Sequence, residues 1–227
     1  MLALKQLPRE TNRDFSMRVL RRGIVTLEMQ PGRMYSEKEL AASLGLSRMP
    51  MREALIELAK TRIVEVHPQR GTAVTLIDYE LVNEACFIRE TLETEVIALC
   101  CERREDQLLA RMALNVRQQR NMIDGNHTDE LMLLDNSFHR ALFTMAGKQL
   151  SYEMMSDMTI HFDRVRSLAV EGGSDFQYIN DHERMIEAIR AHEADQARAL
   201  MHLHLHRYEF DAVALQQRYP AYFKKQA

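Results

Sequence analysis

Apolar residues in the first sixty positions recur three or four apart, which is the spacing of helices with one buried face. A first stripe runs from Phe15 to Leu27. Two shorter stripes follow Ser36 and Ser47, whose hydroxyl groups can cap helix N-termini. Gly45 lies between them and suits a tight turn. The pattern therefore predicts three helices, the last two joined as a helix-turn-helix.

Two runs rich in β-branched residues come next, at 63–67 and 72–76, with a Pro-Gln-Arg-Gly turn between them. Such a pair of runs around a short turn predicts a β-hairpin. Three helices followed by a hairpin describe a winged helix-turn-helix, which we assign to a first domain at 1–76.

From residue 78 onward the sequence shows only helical periodicity, with scattered glycines as breaks. We predict a second, all-α domain at 77–227 that forms a six-helix bundle. The fold class is therefore mainly α, with an N-terminal winged helix-turn-helix. The predicted helices cover about 81–99, 105–122, 128–146, 150–167, 178–191 and 194–214.

The charge is divided unevenly between these two parts. Residues 1–76 hold 13 Lys and Arg against 8 Asp and Glu, a net +5, whereas residues 77–227 hold 17 against 25, a net −8. A basic head on an acidic body suits a protein whose first domain meets DNA. An accidental imbalance remains the alternative.

The cysteine pattern and the N-terminus bear on the compartment. Cys86, Cys100 and Cys101 lie in apolar helical sequence without CxxC spacing, which argues for a reducing environment. The first residues contain no long apolar run, so we expect neither a signal peptide nor a membrane span. The expected location is the bacterial cytoplasm, with no membrane partner.

The second helix of the helix-turn-helix carries the candidate DNA-reading residues. Its apolar spacing leaves Arg48, Met49 and Arg52 pointing outward near its N-terminal end. A recognition helix meets base edges with that end, and arginine can read guanine with two hydrogen bonds. The wing would place Arg70 and Gly71 at the minor groove or the DNA backbone.

Eight of the nine histidines lie after residue 76. Asp135 and His139 are four apart and share one helix face. Within the HLHLH segment at 202–206, at most one histidine can point into a given site, because positions two apart diverge on a helix. An Asp with a few His suits Zn²⁺, Ni²⁺ or Mn²⁺. By spacing alone, a solvated or capped Asp–His pair is the commoner arrangement.

The first part of the chain resembles the GntR family of bacterial transcription factors over about residues 12–76. The resemblance rests on Pro-Gly at 31–32, Ser-Glu at 36–37, Leu-Gly at 44–45, Ser-Arg at 47–48, Arg-Glu-Ala-Leu at 52–55, and His-Pro and Arg-Gly in the wing. It implies that family positions facing DNA fall on Lys38, Arg48, Met49, Arg52 and Gly71. The full candidate set is Lys38, Ser47, Arg48, Met49, Arg52, Arg70 and Gly71.

The sequence departs from the family pattern at three positions. Leu27 stands where the family often has Gly, and Met51 replaces an aliphatic residue in what should be core. Met49 stands where Thr is usual, which puts the usual operator sequence in doubt. Met49 either touches a thymine methyl group or merely packs within the head.

The second part resembles the FCD ligand-binding domain that defines the FadR subgroup, on the motifs at 135–139, 182–189 and 197–205. Metal-binding members use one Asp and three His, which fall on Asp135, His139, His182 and His204. Six helices favour the VanR-like branch, whose effectors are small carboxylates such as sugar acids. The resemblance also suggests that Arg89 binds the effector; a surface pair with Glu93 is the alternative.

These observations predict a homodimeric, ligand-responsive regulator, most simply a repressor, that binds a pseudo-palindromic operator. Its second domain would hold a divalent transition metal, Zn or Ni, and a small carboxylate effector. The alternative is a metal-sensing regulator without an organic effector. An enzyme is disfavoured, because no carboxylate at fixed spacing stands out as a general base.

Overall fold

The computed structural model describes residues 4–123, 128–171, 177–207 and 212–225. Contacts divide the chain into two compact units: the first comprises Met1–Val82, Ile160–Ser167 and Ala212–Ala227, the second Asn83–Thr159 and Leu168–Asp211. In chain order the elements are α1 (Asn12–Val25), β1 (Met34–Tyr35), α2 (Glu37–Ser43), α3 (Arg48–Lys60), β2 (Val64–His67), β3 (Gly71–Val74), α4 (Tyr79–Glu102), α5 (Asp106–Asn121), α6 (Thr128–Met145), α7 (Gln149–Glu171), α8 (Gln177–Arg190), α9 (Ala194–His206) and α10 (Ala212–Arg218).

The predicted helix-turn-helix is confirmed as α2 and α3. Ser36 caps α2, since its side chain accepts a hydrogen bond from the Glu39 amide at 3.4 Å. Gly45 has φ +66°, the left-handed conformation that the turn requires. Ser47 occupies the N-cap position of α3, but its side chain makes no capping hydrogen bond. Its hydroxyl therefore remains available to a ligand at the helix N-terminus.

The first helix ends two residues earlier than its apolar stripe suggests. α1 stops at Val25 with Thr26 as its C-cap, because Leu27 adopts φ +60°. A non-glycine residue pays a steric cost in that conformation. The resemblance implies glycine at this position. The turn therefore requires a positive φ, which the Leu27 side chain disfavours.

The wing is a hairpin of β2 and β3 whose ends pair as Val64 with Val74 and His67 with Gly71. The structure adds a third strand, β1, which pairs antiparallel with β3 and gives the order β1-β3-β2. The sequence does not predict β1, because two residues are too short to show alternation.

Two later segments belong to the first unit. Ile160 joins the apolar core of that unit. From the same turns of α7, the ring nitrogen Nε2 of His161 lies 2.7 Å from the Thr61 carbonyl oxygen. The C-terminal segment pairs with Ile77 through a bridge at Phe223. The sequence alone assigns these segments to 77–227, whereas the contacts group them with the residues before 83.

The six predicted helices are α4 to α9, and the second unit contains all of them except the first turn of α4 and the 160–167 segment of α7. Its core is a single apolar cluster that includes Val96, Phe138, Leu142, Met185 and Met201. One boundary is corrected: the sixth helix was predicted to reach 214, but it ends at His206 and a separate α10 begins at 212. Within the described ranges, no helix is both long and apolar enough to cross a membrane.

Candidate DNA-binding face and metal centre

In the first unit, α2, α3 and the wing surround a cleft of about 640 Å³. Five of the seven predicted DNA-binding residues line it: Lys38, Arg48, Arg52, Arg70 and Gly71. The four cationic side chains are exposed, and one carboxylate, that of Glu37, lines the same cleft. The first turn of α3 carries no acidic residue, so its helix dipole adds to the positive potential. The cleft is therefore suited to an anionic backbone.

The two remaining candidates, Ser47 and Met49, lie at the exposed N-terminus of α3 outside that lining. Met49 is 65% exposed. This exposure excludes the alternative in which Met49 merely packs within the head. A contact with a thymine methyl group stays a prediction. Met51, by contrast, is fully buried, as expected of a core position.

Gly71 has a structural reason to be glycine that the sequence did not reveal. Its φ is +123°, and a Cβ there would lie 2.5 Å from the Tyr35 carbonyl oxygen. The close approach of β1 therefore excludes any side chain. Whether the same backbone also approaches a DNA phosphate stays a prediction.

In the second unit, Asp135, His139, His182 and His204 converge, as the resemblance implies. All four are buried, and each offers one ligand atom within 4.8 Å of the others. α6 supplies the first two from one face, and α8 and α9 supply the other two. The set is therefore assembled from three helices of the bundle.

The separations between these atoms are close to those of a metal centre. Nε2 of His204 lies 3.2 Å from Nε2 of His139, and Asp135 Oδ1 lies 3.5 Å from Nε2 of His182. Ligand atoms about 2.0–2.1 Å from a shared ion are about 2.8–3.0 Å apart for neighbouring octahedral positions and about 3.3–3.4 Å apart in tetrahedral geometry. A cation could bind here with little movement of the side chains.

Each histidine also has a polar partner at its other ring nitrogen. Glu93 contacts Nδ1 of His139, and Asp181 Oδ2 faces Nδ1 of His204 at 3.8 Å. Outer partners of this kind hold Nδ1 protonated and direct the Nε2 lone pair at the metal. The three Nε2 atoms would then all present lone pairs to the same point.

The partner of His182 is an amide whose orientation is determined by its neighbour. Gln119 Nε2 donates to Asn115 Oδ1 at 2.7 Å, so its Oε1 is turned toward Nδ1 of His182 at 3.2 Å. Nδ1 of His182 must therefore donate. Its Nε2 is buried without a hydrogen-bond partner among the described residues.

Burial keeps His182 and His204 in the neutral state that metal binding needs. Burial, with the charge of His204, lowers the pKa of His182 well below its ordinary value. Burial also lowers the pKa of His204, although the nearby Asp181 carboxylate acts to raise it. Both rings stay neutral at physiological pH, so the residues present fit a divalent cation.

Comparison with known proteins agrees with both halves of this description. Residues 17–74 match the family described as "Bacterial regulatory proteins, gntR family", and residues 84–207 match the FCD domain. The chain belongs to the GntR family. It is a DNA-binding transcriptional regulator that carries an FCD domain.

Three relatives of this GntR regulator illustrate the match. The HTH-type transcriptional repressor RspR of Escherichia coli is 31% identical over 83% of each chain. The gluconate operon transcriptional repressor of Bacillus licheniformis is 28% identical over 78% of this chain and 74% of its own. The structure of E. coli McbR/YncC has a TM-score of 0.80 at 19% identity, covering 92% of this chain and 99% of that one. These relatives are regulators rather than enzymes, as the sequence predicts.

The structure corrects one of the two alternatives for Arg89, the surface pair with Glu93, whereas binding of the effector stays a prediction. Its Nε lies 2.5 Å from Glu93 Oε1, so the predicted pair exists. The pair is buried, however, with Arg89 5% and Glu93 0% exposed. Burial alone would raise the pKa of Glu93, but Arg89 and His139 outweigh it and lower that pKa to about 2. Arg89 therefore anchors the carboxylate that orients His139.

The orienting residues of this GntR regulator were missed at the sequence level. Glu93 was considered only as a partner of Arg89. Asp181 adjoins His182 but faces Nδ1 of His204 at 3.8 Å, and its Oδ1 accepts from Arg207 Nη2 at 3.1 Å. Gln119 carries no recognisable signal, because its role depends on how α5 packs against α8.

Proposed function

We propose that this GntR regulator is a homodimeric repressor whose FCD domain binds a divalent transition metal and, through it, a small carboxylate effector. Asp135, His139, His182 and His204 would hold the ion. Binding of the effector would change the affinity for operator DNA, which requires different affinities for two conformations of the protein.

The convergence of three histidine Nε2 atoms and one carboxylate oxygen carries this proposal. Three nitrogens and one oxygen suit Zn²⁺ or Ni²⁺, with Mn²⁺ a further candidate. A four-ligand set on an octahedral ion leaves two positions for solvent or for an organic ligand. A carboxylate oxygen is a good occupant of such positions.

Two observations favour an acid as the organic ligand. Arg89 lies close enough to the centre for its charge to help lower the pKa of both His182 and His204. A buried cation beside a metal favours an anionic ligand. In addition, one relative is named as the repressor of a gluconate operon, and gluconate is a sugar acid.

The metal sensor remains the second candidate function, supported by the pairing of Arg89. Its Nε is already bonded to Glu93 inside the protein. An arginine committed in this way holds the site together and has less to offer an organic acid. In this alternative, the metal alone controls DNA affinity.

The proposal of a homodimer rests on how DNA is recognised. Each chain offers one helix-turn-helix and one wing. Two such heads related by a two-fold axis match two half-sites of a pseudo-palindrome. Several relatives are described as regulators or repressors, which supports repression as the mode of action.

A thermal-shift screen tests the effector and the metal together. Chelated and Zn²⁺-loaded protein are each heated with a panel of small carboxylates. A ligand at 100 times its Kd stabilises by about 2.7 kcal/mol. An acid that raises the melting temperature, and no longer does so after chelation, supports the proposal. If Zn²⁺ raises the melting temperature but none of the acids does, the result supports the metal sensor.

The same acid then provides a thermodynamic check. If the acid weakens operator binding by some factor, operator DNA must weaken acid binding by that factor. His139→Ala should remove the tightly bound metal and the response to the acid together. Equal acid affinity with and without operator would exclude the inducer model.

A further inference from the structure

The second unit carries another cluster of metal-ligating side chains, on its surface. We propose that Glu90, His202 and His206 form a second divalent-cation site, distinct from the buried centre. The ligand atoms of these three residues lie within 4.8 Å of one another. No residue is shared with the buried set, so this inference does not rest on the proposed function.

The HLHLH segment explains how one helix serves two sites. On α9, His204 points into the bundle and is fully buried. His202 and His206 are four apart and share the opposite, solvent-facing side, with ring centroids 4.2 Å apart. Two histidines at this spacing are the arrangement by which a single helix contributes two nitrogens to one zinc ion.

Glu90 on α4 completes the set with an oxygen. Its Oε1 lies 2.7 Å from Nδ1 of His202 and 4.0 Å from Nε2 of His206. The side chains are partly exposed, at 36% for Glu90, 58% for His202 and 38% for His206. Two nitrogens and one carboxylate oxygen form a three-ligand zinc set that leaves a position open for water.

One ring is already oriented for this role. Nδ1 of His206 lies 2.9 Å from the backbone carbonyl oxygen of His202, and it must donate its hydrogen to that acceptor. The lone pair of His206 is thereby placed on Nε2, the atom nearer to Glu90. A hydrogen bond from the non-ligating nitrogen to a backbone carbonyl is the usual support of a metal-bound histidine.

The space beside the cluster can hold the solvent that an exposed ion needs. Glu90 and His202 line a surface cavity of about 570 Å³, together with Phe87 and Glu95. Because water and other ligands have access, this site should bind metal more weakly than the buried centre. The chain would then bind two ions in two classes of affinity.

Equilibrium dialysis of the chelator-stripped, full-length protein against Zn²⁺ tests the inference, with bound zinc measured by mass spectrometry. We expect Glu90→Gln, His202→Ala and His206→Ala each to weaken one class of site at least about tenfold. His67→Ala removes a histidine of the wing, outside both clusters, and serves as the matched control. Because the three residues are exposed, circular dichroism should show an unchanged fold.

The variant His139→Ala distinguishes the buried centre from this surface site. That variant should lose the tighter class and keep the weaker one, which Glu90→Gln then removes in the double variant. If zinc stoichiometry and affinity are unchanged in all three surface variants, the inference is wrong. If His139→Ala has no effect while Glu90→Gln does, the surface site stands and the buried one fails.

Discussion

The Nε2 atoms of His139 and His204 lie 3.2 Å apart in the buried cluster of the second unit. Each ring faces a carboxylate with its other nitrogen, Glu93 for the first and Asp181 for the second. If both Nδ1 atoms carry the hydrogen, two lone pairs oppose each other across this short distance. A cation between them removes that repulsion, so the outer carboxylates also favour metal binding.

Asp181→Asn tests the orienting role without removing a ligand. We predict a 10- to 100-fold loss of zinc affinity, because His204 loses the carboxylate that directs its Nε2 inward. Competition with a chelator measures the change. Asp195→Asn alters an exposed carboxylate at the start of α9 and should leave zinc affinity unchanged. Equal affinity in both variants would show that Asp181 does not orient the ligand.

The winged head and the pair Asp135 and His139 of the buried cluster could be predicted because their signals are local. Four-residue spacing puts Asp135 and His139 on one helix face, and family resemblance supplied the two histidines from other helices. The outer residues could not be predicted, since Gln119 reaches His182 from 63 positions away. Such pairings depend on helix packing, which a single sequence does not specify. The segment at 160–167 was missed for the same reason.

Leu27 offers a test of backbone strain. At most positions Gly is less stable than Ala by about 0.5–1 kcal/mol. At φ +60° the order should invert, so Leu27→Gly should be more stable than Leu27→Ala by about 1 kcal/mol. Urea unfolding measures the difference. The same pair of substitutions at Glu28, which is exposed and has an ordinary φ, should show the normal order, with Ala the more stable.

Gly71 and Gly45 both have positive φ but differ in their surroundings. A Cβ at Gly71 would meet the Tyr35 carbonyl oxygen at 2.5 Å, whereas a Cβ at Gly45 meets nothing within 4 Å. Gly45→Ala should therefore cost only the conformational strain, about 1 kcal/mol. Gly71→Ala should cost more, about 2–3 kcal/mol, because β1 must move away from β3. Thermal unfolding that ranks the two equally would contradict this reading of the wing.

Because His161 is buried, we predict that the stability of the first unit depends on pH. Burial lowers its pKa below the ordinary value of 6.5, against the raising effect of its bond to Thr61. As the pH falls below about 6.5, the His161 ring takes up a proton in the unfolded chain but stays neutral in the folded chain. The free energy of unfolding should therefore fall, by at most about 1.4 kcal/mol per pH unit for this group.

His161→Gln keeps an N–H donor for Thr61 and removes the titrating ring. Its unfolding free energy should change less than that of the parent between pH 7.5 and 5.5. Both proteins are measured with chelator present, so that loss of metal does not contribute. An identical pH dependence in the two proteins would show that His161 is not responsible.

Arg52 tests the DNA-binding face. Its side chain is exposed in the cleft between α3 and the wing. Arg52→Ala should weaken operator binding by about 1–3 kcal/mol. If Arg52 reads a base, the loss is confined to the operator and selectivity relaxes. If it holds a phosphate, binding to operator and to random DNA weakens by the same factor. The number of counterions released on binding, measured from the salt dependence, then falls by about one.

Lys60 provides the matched control for Arg52. It is an exposed cation at the far end of α3, paired with Glu57 at 2.7 Å and outside the cleft. Lys60→Ala removes the same charge from the same helix, so it should leave operator affinity nearly unchanged. Fluorescence anisotropy at several salt concentrations compares the two variants. Equal losses of operator affinity in the two variants would mean that net charge, rather than the cleft, governs binding. If Arg52→Ala keeps its full affinity and selectivity for the operator, Arg52 is not in the interface.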